Sequence, residues 1–338
     1  VNHFAGRSII ANAEPGEVRA AKGQRDMADV RGQERAKRAL EIAAAGRHNL
    51  LMVGPPGAGK SMMAARLPSL LPPLSAAEAL ETSMIHSVAG MLDAGGISRT
   101  RPYRAPHHTA SMPAIVGGGR GAKPGEISLA HNGVLFLDEL PEFPRQVLET
   151  LRQPLETGDV VVARANAHVR YPCAFMLVAA ANPCRCGWLA DPRQACSRAP
   201  VCGDDYMGKI SGPLLDRFDL RIDVPATEID DLQRLAPGEA SAPIAERVAA
   251  ARQIQRTRYA HLGITTNAQA EGDMLAEIAA PAAEAMDFLG QVARKFHLSA
   301  RAYHRILRVA RTIADLEGAA DVAKPHIAEA VAYRIAGS

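Results

Sequence analysis

Eight consecutive residues constrain what this chain can fold into more than any other stretch. They are Gly54, Pro55, Pro56, Gly57, Ala58, Gly59, Lys60 and Ser61. The apolar run 50–53 before them reads as a strand, and residues 62–67 after them read as a helix. In that context the G-x-x-x-x-G-K-[ST] pattern predicts backbone N–H groups around phosphate oxygens, with Lys60 at the β/γ-phosphates and Ser61 on Mg²⁺. An ordinary turn is the alternative, but the complete pattern with both flanks favours a site for ATP and Mg²⁺.

The composition excludes several classes of protein. The 338 residues are 47% hydrophobic but only 4% aromatic, so a large core is expected to be mostly aliphatic. The net charge is only +3, so any contact with nucleic acid has to come from local basic patches. No apolar run approaches the roughly 18 residues that span a bilayer, and no signal-peptide pattern is present. We therefore expect a cytoplasmic protein without a membrane partner.

The order of the expected elements predicts an α/β fold with a parallel sheet flanked by helices, plus a C-terminal all-α lid. Residues 1–28 lack periodicity and are interpreted as a linker or the remnant of a missing upstream domain. Residues 29–226 are expected to form the ATPase core, and residues 227–338 the helical lid. Lid helices are expected at 242–259, 272–278, 281–296, 299–316 and 324–335.

Two buried strands are expected to end in polar side chains. The apolar run 133–137 is followed by Asp138 and Glu139, and the run 175–181 is followed by Asn182. Because ligands of parallel sheets bind at the carboxyl ends of the strands, Asp138 is placed to hold Mg²⁺ and Glu139 to polarise an attacking water. Asn182 can orient that water, with a plain strand-end turn as the alternative.

Two stretches have features that suit a polyanion. Residues 160–164 and 168–171 read as the arms of a β-hairpin, with Arg164 and Asn166 near its tip. Residues 96–125 contain no acidic residue, and their basic residues are Arg99, Arg101, Arg104, Arg120 and Lys123. The alternative for this basic stretch is a solvated surface loop. Its adjacent pair, His107 and His108, is interpreted as hydrogen-bonded in a loop.

Four of the five cysteines lie close together in the chain, as C-x-C-x₉-C-x₅-C. They are Cys184, Cys186, Cys196 and Cys202. Four thiolates around an interrupted loop form a candidate tetrahedral zinc site, and four reduced cysteines in a loop are the alternative. Cys173 is interpreted as a core thiol.

Two arginines are candidates for contact with a nucleotide. Arg217 precedes the last expected strand, 220–224, and can serve the nucleotide of a neighbouring subunit, although an ion pair with Asp216 or Asp219 explains it equally well. Ser299 is a suitable N-cap, which places Arg301 in the first turn of a lid helix. We expect Arg301 to contact the γ-phosphate, with a solvated helix face as the alternative.

Taken together, residues 29–338 resemble the magnesium-chelatase-like branch of AAA+ ATPases, and more narrowly the YifB/ComM family of bacterial proteins. The segments that carry this resemblance are 30–33, the phosphate loop 54–61, 103–109, 124–133 and 211–219. The resemblance implies that Asp138 and Glu139 are the Walker B pair. It also implies that Asn182 is sensor 1, Arg217 the arginine finger and Arg301 sensor 2, and that the hairpin faces a central pore.

The same resemblance implies an ATP-dependent hexameric ring. Family members include a helicase that drives branch migration when single-stranded DNA is integrated during natural transformation, so single-stranded or branched DNA is the implied partner. The family usually carries a Lon-protease-like domain at its N-terminus, which fits the interpretation of residues 1–28. The cysteine spacing departs from the family pattern, in which the last two cysteines are closer together.

Two other functions are compatible with this sequence. One is a protein-remodelling ATPase of the chelatase type, which drives metal insertion by a partner subunit. The other is a regulatory nucleotide-binding module with little hydrolysis, and Glu139 and Arg217 argue against it. The basic stretch 96–125 favours DNA over protein remodelling.

Overall fold

The computed structural model describes residues 25–92, 97–119, 121–164, 167–189, 191, 193–226, 234–279 and 281–335. Most of the expected linker, residues 1–24, lies outside the described residues. So do Gly96, Arg120 and Asn166 of the two polyanion stretches, and residues 227–233 at the expected boundary between core and lid.

The strands described are β1 (Leu50–Val53), β2 (Tyr103–Arg104), β3 (Gly117–Gly118), β4 (Lys123–Pro124), β5 (Val134–Leu137), β6 (Asp159–Arg164), β7 (Ala167–Pro172), β8 (Met176–Ala181) and β9 (Leu220–Asp223). The helices are α1 (Glu34–Gly46), α2 (Lys60–Ala64), α3 (Ala76–Val88), α4 (Met112–Val116), α5 (Glu126–Leu129), α6 (Arg145–Thr150), α7 (Pro154–Thr157), α8 (Val201–Met207), α9 (Gly212–Leu215), α10 (Ser241–Arg258), α11 (Gly272–Ile278), α12 (Ala283–Lys295), α13 (Ala300–Leu316) and α14 (Lys324–Ile335). Short 3₁₀ turns lie at Met27–Asp29, Leu67–Leu70, Leu140–Glu142 and Asn267–Gln269.

A five-stranded parallel sheet in the order β2-β5-β8-β1-β9 organises the core. Strand β1 lies between β8 and β9, with Leu50 opposite Val178 on one side and Leu220 on the other. Both faces of the sheet are covered, because alternate residues of β1 enter different clusters. Leu50 packs in the cluster that contains α1 and the lid, and Leu51 packs on the opposite face. The expected α/β fold is confirmed.

The C-terminal residues form the expected all-α lid, which packs against α1. Arg252 of α10 donates two hydrogen bonds, of 3.0 and 2.7 Å, to the Ala44 carbonyl near the end of α1. Asn267 Nδ2 donates to Thr312 Oγ1 of α13 at 2.9 Å, and His48 shares the same hydroxyl at 2.7 Å. These buried polar contacts join the lid to the core at defined positions.

Two helices end earlier than the sequence pattern predicts. The helix after the phosphate loop ends at Ala64 rather than at residue 67, and a 3₁₀ turn containing Pro68 follows it. Apolar periodicity over residues 144–153 also predicts one helix, but α6 ends at Thr150 and α7 begins separately at Pro154. Proline has no N–H to continue a helical hydrogen-bond ladder, which accounts for separate short elements at both places.

The expected β-hairpin is present as β6 and β7, which pair antiparallel with Val162 opposite Val169. Both arms begin one residue earlier than predicted, and the second also ends one residue later, at Pro172. Residues 165–166 at its tip lie outside the described residues, so the structure defines the hairpin by its two arms.

Candidate active site

The phosphate loop connects β1 to α2 at the carboxyl edge of the sheet. Gly57 and Gly59 have left-handed backbone conformations, with φ of 79° and 83°, which glycine adopts without strain. Lys60 begins α2, and its ammonium donates to the carbonyl oxygens of Gly54 at 2.6 Å and Pro55 at 2.8 Å. Burial lowers the pKa of Lys60 from its ordinary value, and the carboxylates of Asp138 and Glu139 oppose that change. A phosphate in this place would favour the charged ammonium.

The hydroxyl and carboxylate expected at Mg²⁺ lie side by side. Ser61 Oγ donates to Asp138 Oδ2 at 2.6 Å, and the Glu139 N–H donates to Asp138 Oδ1 at 3.0 Å. A hydroxyl oxygen and a carboxylate are the kind of hard oxygen ligands that Mg²⁺ takes when it also binds phosphates. Ser61 and Asp138 therefore fit a nucleotide-bound Mg²⁺.

Asn182 reaches the same site from the end of β8. Its Oδ1 accepts a 3.2 Å hydrogen bond from Lys60 Nζ. A cavity of about 370 Å³ opens here, and it is lined by Pro56, Gly57, Ala58, Gly59, Lys60, Ser61, Met62, Asp138, Glu139, Ala181 and Asn182. The structure thus brings together the phosphate loop, both carboxylates and Asn182.

His108 is a neighbour of this site that the sequence pattern did not identify. Its Nδ1 lies 3.3 Å from Glu139 Oε2, and its ring packs edge-on against Phe143 at 6.4 Å between centroids. Strand β2 pairs with β5, so the loop that follows β2 arrives beside the end of β5, where Glu139 lies. The histidine pair does lie in a loop, where His107 Nδ1 and Thr109 Oγ1 are 2.8 Å apart, as expected. The contact between His108 and Glu139 could be identified only from the position of β2 beside β5.

Arg217 and Arg301 lie at the opposite edge of the sheet from the phosphate loop. Arg217 precedes β9, and its carbonyl accepts from Asn49, the residue before β1. Both arginines pair with the carboxylate of Glu156, Arg301 at 3.5 Å. They line a separate cavity of about 770 Å³. The structure therefore does not bring either arginine to the phosphate loop of its own chain.

The internal partner of Arg217 differs from the two that local sequence suggested. Asp216 pairs with Arg334 at 2.8 Å, and Asp219 pairs with Arg305, so neither is available to Arg217. Arg217 is only 5% exposed, and its Nε has no hydrogen-bond partner within the part of the chain that the structure describes. Glu156, in α7, holds it at the edge of the 770 Å³ cavity.

The basic stretch 96–125 is less available for DNA than its sequence indicates. Arg104 makes a bidentate pair with Glu126, at 2.6 and 2.7 Å, and Arg101 pairs with Glu78 at 3.1 and 3.2 Å. Arg99 donates to the Leu74 carbonyl at 3.1 Å. The expectation that these charges lack local compensation is wrong for Arg101 and Arg104, because their acidic partners lie outside the stretch. Lys123 is exposed on β4.

Three of the four clustered cysteines come together after β8. The Sγ atoms of Cys184, Cys186 and Cys202 lie within 4.8 Å of one another, and Cys196 is not part of this group. Hydrogen bonds from the Cys184 thiol and from the Trp188 and Cys196 N–H groups lower the pKa of Cys186 to about 6. Cys173 is buried in the core, as expected.

Residues 26–232 match the sequence family described as magnesium chelatase, subunit ChlI, and residues 238–334 match the C-terminal domain of the same subunit. The two matches cover most of the chain. The chain belongs to the magnesium-chelatase-like AAA+ ATPases, in the YifB/ComM family. The family resemblance of the sequence is thereby confirmed.

Individual relatives agree with this assignment. The chain is 48% identical over 316 residues to competence protein ComM of Haemophilus influenzae, an alignment that covers 93% of this chain and 61% of that protein. It is 44% identical over 330 residues to uncharacterized protein YifB of Escherichia coli, covering 97% of this chain and 64% of that protein. Identity to the magnesium-chelatase 38 kDa subunit of Rhodobacter capsulatus is 25% over 319 residues, covering 88% and 82%.

The chain therefore spans less than two thirds of the length of its ComM and YifB relatives. Of the helices that the structure describes, none has the combination of length and apolar character that crossing a bilayer requires.

Proposed function

We propose that this chain is an ATP-driven ring motor that acts on DNA, as a helicase that promotes branch migration during DNA uptake and recombination. The main observation in support of a ring motor is that the expected catalytic groups are divided between two opposite edges of one sheet. Lys60, Asp138, Glu139 and Asn182 line one cavity, and Arg217 and Arg301 line another. A single chain cannot complete such a site, whereas a ring of copies can place one edge against the next.

At the carboxyl edge, Lys60 exchanges its carbonyl partners for the β- and γ-phosphate oxygens of ATP. Ser61 and Asp138 would hold Mg²⁺, which would supply positive charge against the phosphates. Glu139 accepts a hydrogen bond from the attacking water, and Asn182 orients it. At the amino edge, Arg217 and Arg301 leave Glu156 for the γ-phosphate of the neighbouring subunit, where a guanidinium stabilises the transferring phosphoryl group.

DNA is proposed as the substrate on two grounds. The 48% identical relative is named as a competence protein, and the hairpin β6–β7 ends near Arg164 with few acidic residues around it in sequence. The second candidate is a protein-remodelling ATPase, which the 25% identity to a chelatase subunit favours more weakly. The deciding experiment measures ATP hydrolysis by the chain with and without single-stranded or branched DNA, and stimulation by DNA supports the first candidate.

Salt dependence gives a sharper test of DNA contact. Phosphate contacts release counterions, so the logarithm of affinity for single strands should fall linearly with the logarithm of salt concentration, by about 0.7 per contact. Arg164→Ala should reduce this slope by about 0.7 for each phosphate that Arg164 neutralises, and remove DNA-stimulated hydrolysis while hydrolysis without DNA persists. Fluorescence anisotropy across a salt series, paired with an ATPase assay, measures both.

Arg170→Ala is the matched control, since Arg170 lies on the other arm of the hairpin but is paired with Asp159. It should leave the slope and the stimulation near wild type. DNA binding that does not depend on salt, or an Arg164→Ala chain that is still fully stimulated, would favour the protein-remodelling candidate.

His108 is expected to position Glu139 for catalysis. Because His108 does not line the nucleotide cavity, His108→Ala should leave the KM for ATP unchanged and lower kcat by about tenfold, the value of a hydrogen bond to a charged group. His108→Gln, which can still donate to the carboxylate, should recover most of kcat. Steady-state kinetics of the two variants measure this difference, and an increase in kcat for His108→Ala would mean that the pair restrains Glu139 instead.

A further inference from the structure

The loop that carries the cysteine cluster follows directly from the strand that carries Asn182. Cys184 comes two residues after Asn182, and Cys202 lies in α8. Cys184 and Cys202 are both buried, at 0% and 7% exposure, and Cys186 and Cys196 are partly exposed. Three sulfur atoms, those of Cys184, Cys186 and Cys202, therefore lie together in a place that the ATPase chemistry does not use.

We propose that Cys184, Cys186, Cys196 and Cys202 bind one zinc ion, and that this ion holds the loop which supports the phosphate loop at Pro56. Four thiolates are a complete ligand set for a closed tetrahedral zinc site. Three of these four sulfurs, those of Cys184, Cys186 and Cys202, already lie within 4.8 Å of one another, and Cys196 lies in the same loop.

The distance between two of the sulfurs argues against a disulfide. The Sγ atoms of Cys184 and Cys186 are 3.0 Å apart, whereas a disulfide bond is about 2.05 Å long. Zinc–sulfur bonds of about 2.3 Å at the tetrahedral angle set ligand sulfurs about 3.8 Å apart, so metal binding needs only a small opening of this pair. All five cysteines are free thiols in the structure.

The link to the nucleotide site is a close contact between two loops. Gly187 follows Cys186 and has a left-handed φ of 86°, and a Cβ atom there would lie within 2.6 Å of the Pro56 ring. Pro56 lines the nucleotide cavity. A metal that holds Cys186 in place therefore also holds Gly187 against the phosphate loop. The proposed support of the phosphate loop rests on the proposed ATP site, whereas the zinc site does not depend on it.

Metal content tests the first step. The chain, purified without chelators from zinc-containing medium, should contain about one zinc per chain by plasma mass spectrometry, for a single four-thiolate site. Cys184→Ser combined with Cys186→Ser should lower this at least about tenfold, because only two thiolates remain. Cys173→Ser, which alters a buried cysteine outside the cluster, should keep the zinc.

An experiment on the wild-type chain does not depend on whether the cysteine variants fold. Zinc should be released from the wild-type chain by a mercurial reagent, in parallel with the titration of its thiols, and the melting temperature should fall on release. The zinc site would be overturned if the purified chain contained iron instead of zinc. It would also be overturned by a metal-free chain with an unchanged melting temperature, or by a Cys184–Cys186 disulfide found by peptide mass spectrometry.

A glycine pair tests the second step. Gly187→Ala should retain zinc but raise the Kd for a fluorescent ATP analogue at least about tenfold, because the new methyl group displaces Pro56. Gly263→Ala is the control, since Gly263 has a similar φ of 69° but no atom near its Cβ position, so it carries the same backbone strain alone. Equal Kd values for the two variants would contradict the proposal that the cysteine loop supports the phosphate loop. A wild-type chain that holds zinc but binds no ATP would instead contradict the proposed function.

Discussion

Glu139→Gln is expected to slow ATP hydrolysis at least about 10²-fold while ATP still binds, the scale on which a catalytic base contributes. The amide keeps the size and the position of the side chain at the end of β5 but cannot accept a proton from the attacking water. Glu139 lines the nucleotide cavity, and the hydrogen bonds of Lys60 and Ser61 go to other residues, so the groups expected to bind the phosphates are kept. Phosphate release and binding of a fluorescent ATP analogue, measured on the same preparation, separate the two effects.

Lys60→Ala is the complementary variant within this prediction. It removes the ammonium that lies buried among the carbonyls of the phosphate loop, and tight ATP binding should disappear together with hydrolysis. Hydrolysis at the wild-type rate by Glu139→Gln would show that the role assigned to this carboxylate is wrong. Loss of ATP binding in both variants would instead indicate that Glu139→Gln disturbs the fold of the loop.

Mixing two inactive variants is expected to restore ATP hydrolysis. An Arg217→Ala subunit retains an intact phosphate loop and Glu139, and a Lys60→Ala subunit retains an intact Arg217. Because these groups lie at opposite edges of the sheet, an interface that joins the two variants in the right order has every group. With equal mixing, roughly a quarter of the interfaces in a head-to-tail ring should be of this kind. Hydrolysis across a series of mixing ratios measures the recovery.

The matched control mixes Lys60→Ala with Glu139→Gln. Both changes affect the carboxyl edge, so no arrangement of these subunits completes a site and no recovery is expected. Recovery in both mixtures would show that the recovered rate does not come from Arg217 acting on a neighbouring subunit. No recovery with Arg217→Ala at any ratio, in subunits that co-assemble by size-exclusion chromatography, would contradict action of Arg217 on a neighbour.

Elements with strong local signals were predicted from the sequence to the residue. Helices α11 and α14 begin and end at the predicted residues, 272–278 and 324–335. Helix α13 likewise begins after the predicted N-cap Ser299. Capping depends on residues within one turn of each other, so the sequence contains all the information needed. Helix α6 was predicted too long because apolar periodicity continued past its end.

The sequence by itself determined which residues form the phosphate loop, which carboxylates end β5 and which cysteines gather after β8. Each of these depends on residue types at neighbouring positions, where the backbone geometry leaves few choices. Only the tertiary structure decided that Arg217 pairs with Glu156, 61 residues away, that Glu126 neutralises Arg104, and that His108 reaches Glu139. These partners lie on separate elements, and strand order and helix packing determine which elements come close together. The residues next to a charged side chain in sequence do not indicate a partner that lies on a distant element.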